Sequence, residues 1–465
     1  MEKEAPAAEL EILGECQYSG EPAVVRPSQP TPRHTLHLSN LDDQRFLRFS
    51  IKYLYVFAAP AAVPADALRA ALARVLVDYY PLAGRLRPRD DDEGKLVEDC
   101  NAEGALFAEA RLPGLTAAEF LRGRARPHKS WRKLLYRVEA QSFVAVPPLV
   151  VQVTRLGCGG MILCTAINHC LCDGIGTAQF LHAWARAARA GDGDALDDGA
   201  AHAQPAPPFH DRRALRPRCP PRVAFTHPEY NSCAAANGNE APSLLARLLG
   251  QPLAPVSLTF TAAHLRLKRQ CAPSLKCTSF EALAAHVWRA WVRALDPPGA
   301  LRVKLLFSVN VRRRVKPELP RGYYGNGFVL GCAESTAAQL TSSSSAAARY
   351  GVRLVQEAKE CVDDDYVRSM VDLLEERRGA RPDLAASLVI SAWTRLGLED
   401  LDFGAGTAAH MGPLTSEIYC VFLPVIGDPD GTTVLVSVPQ AAADRFQQCC
   451  LGFLKDADVD AKLVS

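Results

Sequence analysis

The stretch Gly160-Met-Ile-Leu-Cys-Thr-Ala-Ile-Asn-His169-Cys-Leu-Cys-Asp173-Gly-Ile-Gly176 decides how this chain folds. Met161 to Asn168 is an apolar run of strand length. The apolar run before it, Leu149 to Leu156, is joined to it by Gly-Cys-Gly-Gly, so the two read as a hairpin. Past Asp173, Gly174 and Gly176 let the backbone turn tightly or a ligand come close, and a helix is expected from about Gly176 to Ala190. The strand therefore delivers a histidine to its own end. An imidazole, with an ordinary pKa of ~6.5, is a natural base for taking a proton from a hydroxyl near neutral pH. The competing reading is a buried histidine satisfied by backbone with a turn aspartate beside it, and this stretch alone leaves both open.

Upstream, Phe46 to Phe57 is aromatic, β-branched and partly alternating, which predicts a strand. The segment from Pro64 to Tyr80 places Leu68, Leu72, Val75, Leu76 and Tyr79 on one helical face, and Pro81 stops it. Downstream the composition changes. Gly191 to Gly199 is acidic, and seven prolines fall from Pro205 to Pro228. This divides the chain into an N-terminal domain (1–204), a Pro-rich crossover linker (205–235) and a C-terminal domain (236–465). In the last, Thr278-Ser-Phe-Glu281 has the capping-box pattern and opens a helix carrying Leu283, Val287, Trp288 and Trp291. Val303 to Val311 reads as a strand, and Glu417 to Val438 as two strands around an Asp428-Pro-Asp-Gly431 turn, followed by a terminal helix from Ala441. Mixed elements in both halves give an α/β or α+β class in two comparable domains.

Composition narrows the function. In 465 residues the net charge is +2, which offers no field for nucleic acid or an anionic membrane surface. The 15 cysteines lie in apolar runs, no C-x-x-C pair occurs, and no Cys/His set has zinc-ligand spacing, so no metal is expected. The acidic start is unlike a leader, and no uncharged apolar run reaches the ~18 residues of a spanning helix. A cytoplasmic protein with reduced thiols and no stable membrane insertion is expected. G-x-S-x-G, H-E-x-x-H and the P-loop pattern are absent. Gly404-Ala-Gly406-Thr-Ala-Ala409 imitates a dinucleotide fingerprint, but neither a buried strand before it nor a helix after it is legible, so an oxidoreductase reading is rejected.

His169-Cys-Leu-Cys-Asp173-Gly174 resembles the H-x-x-x-D-G signature of the plant BAHD acyltransferases, which use coenzyme A thioesters. Asp402-Phe-Gly404-Ala-Gly406 resembles that family's second signature, D-F-G-W-G, with alanine in place of tryptophan. Tyr80-Pro-Leu-Ala-Gly-Arg85, Thr278-Ser-Phe and Arg321-Gly-Tyr-Tyr-Gly-Asn326 resemble further family segments in the same order, so the likeness spans nearly the whole chain.

The resemblance implies a two-domain, chloramphenicol acetyltransferase-like fold with the site in a channel at the domain interface. It implies His169 as general base, an acyl-CoA co-substrate, an alcohol or amine acceptor, no permanently bound cofactor, and a monomer. Asp173 is expected to shape the loop through an ion pair rather than orient the imidazole. Asp402 is expected to pair with Arg312, which stands where the family has a D-x-R element, although Asn310 here replaces its aspartate. Loss of the tryptophan at Ala405 would cost ~3–5 kcal/mol if its space stayed empty, and little if neighbours repack. Ser391 and Trp393 match positions that supply a hydroxyl and an indole N–H near the reacting carbonyl, against the alternative of a tryptophan packed in a core. Thr278 and Ser279 are expected to meet coenzyme A. Arg377, Arg378 and Arg381 are expected either to meet its phosphates or an acidic acceptor, or to be solvated surface. Sequence texture is closest to enzymes passing feruloyl, caffeoyl or coumaroyl groups to long-chain alcohols or ω-hydroxy fatty acids in cutin, suberin and wax synthesis. The alternative within the family is a non-catalytic partner protein that assists fatty-acid elongation in wax synthesis.

Overall fold

The computed structural model describes residues 11–58, 63–90, 94–122, 126–140, 142–190, 206–231, 250–265, 276–342, 345–415 and 419–452, with the side chains of 345–348 excepted. The acidic stretch 191–199 and the first ten residues lie outside them.

The hairpin read from sequence is the centre of the first sheet. Leu149–Leu156 and Met161–Asn168 pair antiparallel, and Ser50–Phe57 adds on the other side of the second strand. Ala105–Leu112 pairs parallel with Leu149–Leu156 and carries the short strands Gln17–Tyr18 and Ala23–Val25. All eight residues of Met161–Asn168 are buried, because both faces of the sheet are covered. Side-chain alternation along Ser50–Phe57 serves both layers. Tyr53, Tyr55 and Phe57 join the core under helices Ala65–Val75 and Gly174–Ala190, while Leu54 and Val56 face the layer of Phe120 and Trp131. The two helices are pinned by the Trp184 indole, which donates to the Leu68 carbonyl at 2.9 Å.

The second sheet has six strands in the order Leu253–Phe260, Asp428–Pro439, Cys420–Val425, Ser387–Ala392, Arg302–Asn310, Phe328–Thr336. Helix Ser279–Leu295 lays Trp288, Trp291 and Val287 into its core. The helix opens on the expected capping box: Thr278 accepts from the Glu281 N–H while the Glu281 carboxylate accepts from the Thr278 N–H.

Two expectations are corrected. The first strand begins at Ser50, since Arg45–Leu47 forms a 3-10 turn. The C-terminal hairpin turns two residues early, at Ile426-Gly427, where Gly427 adopts φ +85°; Asp428-Pro-Asp-Gly431 already belongs to the second strand. The C-terminal half is also not confined to its own sheet: His410–Pro413 crosses back to pair with Ser50–Phe57, and Phe403 and Met411 fill the first core. The described part of the crossover, residues 206–231, is anchored to the second half at several points. Lys304 Nζ, buried, donates to the carbonyls of Pro228 and Asn231 at 2.8 and 2.6 Å, and Arg218 pairs with buried Asp372 at 2.6 Å.

Candidate active site

The last residue of the central strand hands the chain to His169, and two other chain segments then hold it. Its N–H donates to the Phe49 carbonyl at 2.9 Å, and its carbonyl accepts from Asn326 Nδ2 at 2.7 Å. The imidazole lies half-buried between the rings of Phe49 and Phe328, with centroids 5.5 and 6.0 Å away. Its Nδ1 is sealed from solvent and has no well-formed hydrogen bond. Burial pushes the imidazole pKa below its ordinary value of 6.5; its own carbonyl, Asp173, Asn326 and Asp42 act the other way without overcoming it. Burial therefore favours the neutral ring, the form that can accept a proton.

His169 stands in the wall of a cavity of about 780 Å³ between the two halves. The first half contributes Phe49, Tyr53, Asp173 and Gly174; the second contributes Phe328, Ser391, Trp393 and Val421. The lining is mostly apolar with a few polar groups, the composition of a small-molecule site. Trp393 packs on buried Tyr53, with centroids 4.7 Å apart and the ring planes tilted by 36°. Among the described residues, neither the indole N–H of Trp393 nor the Ser391 hydroxyl is taken by a protein partner, and both residues line the cavity. Trp393 thus belongs to the first core, 7% exposed, but its N–H has no protein partner among the described residues.

Asp173 is turned away from the imidazole. Its carboxylate accepts both Arg312 guanidinium nitrogens, at 2.7 and 3.0 Å, and the N–H groups of Gly176 and Gly327 at 3.0 Å each. Burial would raise its pKa, but Arg312 and these N–H groups outweigh that and hold it below the ordinary carboxylate value. Small residues make the fit possible. A Cβ on Gly176 would stand 2.7 Å from the Cys172 Cβ, and one on Gly327 would stand 2.7 Å from an Arg312 nitrogen.

Arg312 therefore does not pair with Asp402, and that expectation is overturned. The Asp402 carboxylate caps its own loop by accepting from the Gly404 N–H at 2.7 Å, while its carbonyl accepts from Arg189. Asn310, in place of the family's aspartate, accepts the Arg312 N–H at 3.1 Å and lines the cavity. The second signature lies on the far side of the first core. Phe403 packs on Trp184 at 4.9 Å between centroids, Gly404 and Gly406 adopt φ +107° and +81°, and Ala405 is half-buried. No strand–loop–helix unit stands there, which excludes a dinucleotide site at Gly404 to Ala409. Thr278 and Ser279 are spent on the helix start and do not line this cavity, and Arg377, Arg378 and Arg381 are exposed outside it.

Sequence reasoning missed the buried polar chain behind His169, formed by Arg212, Asp42 and Asn326. Arg212 Nε lies 3.1 Å from Asp42 Oδ2, and Asp42 Oδ1 accepts both the N–H and the Nδ2 of Asn326 at 2.7 and 3.0 Å. The available signal was Asn326 closing the Arg321-to-Asn326 segment. Nothing in Leu38-Ser-Asn-Leu-Asp42 marks its aspartate as bound for the interior.

Vinorine synthase superposes with a TM-score of 0.69 at 20% identity, covering 93% of this chain and 96% of that one. TRI101 of F. graminearum, solved with ethyl coenzyme A, gives 0.71 at 16% identity over 89% and 97%. Residues 20–450 match the Transferase family. Omega-hydroxypalmitate O-feruloyl transferase of Arabidopsis thaliana is 35% identical over 445 residues, covering 93% of this chain and 92% of that protein. Fatty alcohol:caffeoyl-CoA acyltransferase of Arabidopsis thaliana is 35% identical over 92% and 96%, and benzyl alcohol O-benzoyltransferase of Petunia hybrida is 33% identical over 95% of each. The chain is an acyltransferase, and it belongs to the plant BAHD Transferase family.

Proposed function

We propose that the protein transfers a hydroxycinnamoyl group from coenzyme A to the hydroxyl of a long-chain alcohol or ω-hydroxy fatty acid, with His169 as general base. The observation that carries this reading is the His169 imidazole in the wall of a largely apolar cavity built by both halves. The two Arabidopsis relatives, which act on ω-hydroxypalmitate and on fatty alcohols, support the acceptor class.

His169 takes the hydroxyl proton as the acceptor oxygen attacks the thioester carbonyl. The tetrahedral oxyanion accepts from the Trp393 indole N–H and the Ser391 hydroxyl. It collapses by breaking the C–S bond, and the imidazolium returns its proton to the departing thiolate, so the ester and free coenzyme A leave. No acyl-enzyme forms. Holding donor and acceptor together supplies much of the acceleration, while Asp173 and Arg312 shape the loop without touching the reactants. The protein acts in the cytoplasm and uses coenzyme A as a co-substrate, not a resident cofactor.

The test is thiol release by the purified protein from feruloyl-, caffeoyl-, p-coumaroyl- and acetyl-CoA against a panel of alcohols and amines, alongside His169→Ala. Acceptor-dependent release that disappears in the variant establishes the reading. A folded wild-type protein that releases nothing with any pair would move the assignment to the non-catalytic partner.

A further inference from the structure

Asn326 is wholly buried, and both hydrogens of its amide are used: Nδ2 donates to the His169 carbonyl at 2.7 Å and to Asp42 Oδ1 at 3.0 Å. Both partners are acceptors, so the amide can stand only one way round. Its Oδ1 consequently stays buried without a partner. An unsatisfied buried carbonyl costs stability, of which packing alone would give no need. Behind Asn326, Asp42 is wholly buried and fixed on four sides. It accepts from the Ser39 N–H at 3.0 Å, the Ser39 hydroxyl at 2.6 Å and the Asn326 N–H at 2.7 Å, and it faces the Arg212 guanidinium at 3.1 Å. Arg212 is itself held by the carbonyls of His210 and Leu171, at 2.9 and 3.1 Å. The chain Arg212–Asp42–Asn326–His169 thus joins the crossover, the N-terminal half and the C-terminal half at one backbone carbonyl.

We infer that Asp42, acting through Asn326, is a positioning residue for His169: it fixes the carbonyl of the catalytic residue and so sets which imidazole nitrogen faces the cavity. The inference rests on His169 being the base. The carbonyl that Asn326 holds at 2.7 Å fixes the backbone of this residue, and Nδ1 is the ring nitrogen sealed from solvent, so a proton kept on Nδ1 belongs to the protein side of the ring. That leaves Nε2 as the lone-pair nitrogen, the one that can accept from the acceptor hydroxyl. Asp42 does this without reaching the substrate, since it is sealed from the cavity.

The experiment compares Asn326→Ala, Asp42→Asn, their double variant and His169→Ala, using feruloyl-CoA with ω-hydroxypalmitate. The imidazole nitrogen shifts of His169 are recorded by NMR as a readout independent of turnover. The expected result for Asn326→Ala is a folded protein with kcat down on the order of 10²-fold and KM nearly unchanged. Its His169 ring shows mixed tautomers, and the acid limb of kcat moves to lower pH because Asn326 and Asp42 both support the protonated ring. The double variant is no worse than Asn326→Ala, since both act on one carbonyl. Losses that add, an unmoved acid limb or an unchanged tautomer would overturn the inference. Full activity in His169→Ala would overturn the base assignment instead, and an inactive His169→Ala beside an active Asn326→Ala would overturn only the positioning role. If Asn326→Ala does not fold, Asn326→Ser, which keeps a donor, takes its place. Failure of every variant to fold would make the chain purely structural and end the proposal.

Discussion

Arg312 grips Asp173 with two nitrogens, at 2.7 and 3.0 Å, across the junction of the two halves. The pair takes the second residue of the H-x-x-x-D-G signature out of the chemistry. An aspartate four residues from a base invites a triad in which it orients the imidazole. Here both carboxylate oxygens are already committed to a guanidinium and two backbone N–H groups. What Asp173 orients is the turn that leads from His169 into helix Gly174–Ala190.

Removing one member of this pair should unfold the junction before it alters the chemistry. Arg312→Ala leaves a buried carboxylate with its N–H groups only, and breaking such a pair costs about 3–5 kcal/mol. The denaturation midpoint should fall accordingly, with KM little changed in the fraction that stays folded. Asp173 has its pKa depressed in the fold, so the pair's stabilisation is complete above about pH 4 and is lost as pH falls through the folded value. The difference in midpoint between wild type and variant should therefore shrink on acidification. A constant difference down to strongly acid pH would contradict the ion pair.

With His169 as the proposed base, burial of its ring predicts the pH range of turnover. The His169 imidazole is held below 6.5 by desolvation, so it loses its proton at a lower pH than a free histidine. The acid limb of kcat/KM should have its midpoint under 6.5, with a plateau through pH 7 to 8. Recording the profile with two acceptors of different chain length separates enzyme from substrate ionisation. A midpoint above 6.5 would mean that the imidazole is more solvated, or faces a carboxylate more closely, than its position between Phe49 and Phe328 allows.

The alanine in the second signature should be silent in catalysis. Ala405 is half-buried on a loop packed against the far side of the first core, behind Phe403 and Trp184, and it does not line the cavity. Ala405→Trp should leave kcat/KM within about twofold, the range of substitutions remote from any site. Its effect belongs in the melting temperature. A large rise in activity would show that the missing tryptophan acts on the cavity after all.

The parts of this fold legible in sequence were those governed by local chemistry. Apolar runs of strand length bounded by glycines gave Leu149–Leu156 and Met161–Asn168 to the residue, and a threonine three residues ahead of a glutamate gave the start of Ser279–Leu295. Non-local pairing was not legible. His410–Pro413 is an ordinary short run whose partner lies some hundreds of residues earlier, and nothing in its composition names Ser50–Phe57. The same holds for charge: Arg312 had two aspartates to choose from, and the packing of Gly327 against the guanidinium, with the N–H groups of Gly176 and Gly327 on the carboxylate, decides for Asp173. Asp42 escaped notice because a buried carboxylate looks in sequence like any turn aspartate until Arg212 and Asn326 converge on it.

Trp393 offers the cleanest separation of a chemical role from a packing role. Its ring is 7% exposed and packed on Tyr53, while its N–H has no protein partner among the described residues. Phenylalanine preserves most of the packed surface and removes only the donor. If the indole stabilises the oxyanion, Trp393→Phe should lower kcat by about 10²–10³-fold and leave KM for the thioester almost unchanged, because a donor aimed at developing charge is worth little in the ground state. Ser391→Ala should act in the same direction. If the two donors share one oxyanion, the double variant should lose less than the product of the single losses. A Trp393→Phe enzyme with normal kcat but a lower melting temperature would return Trp393 to the core of the first half, and Ser391 would then be the candidate donor left on Ser387–Ala392.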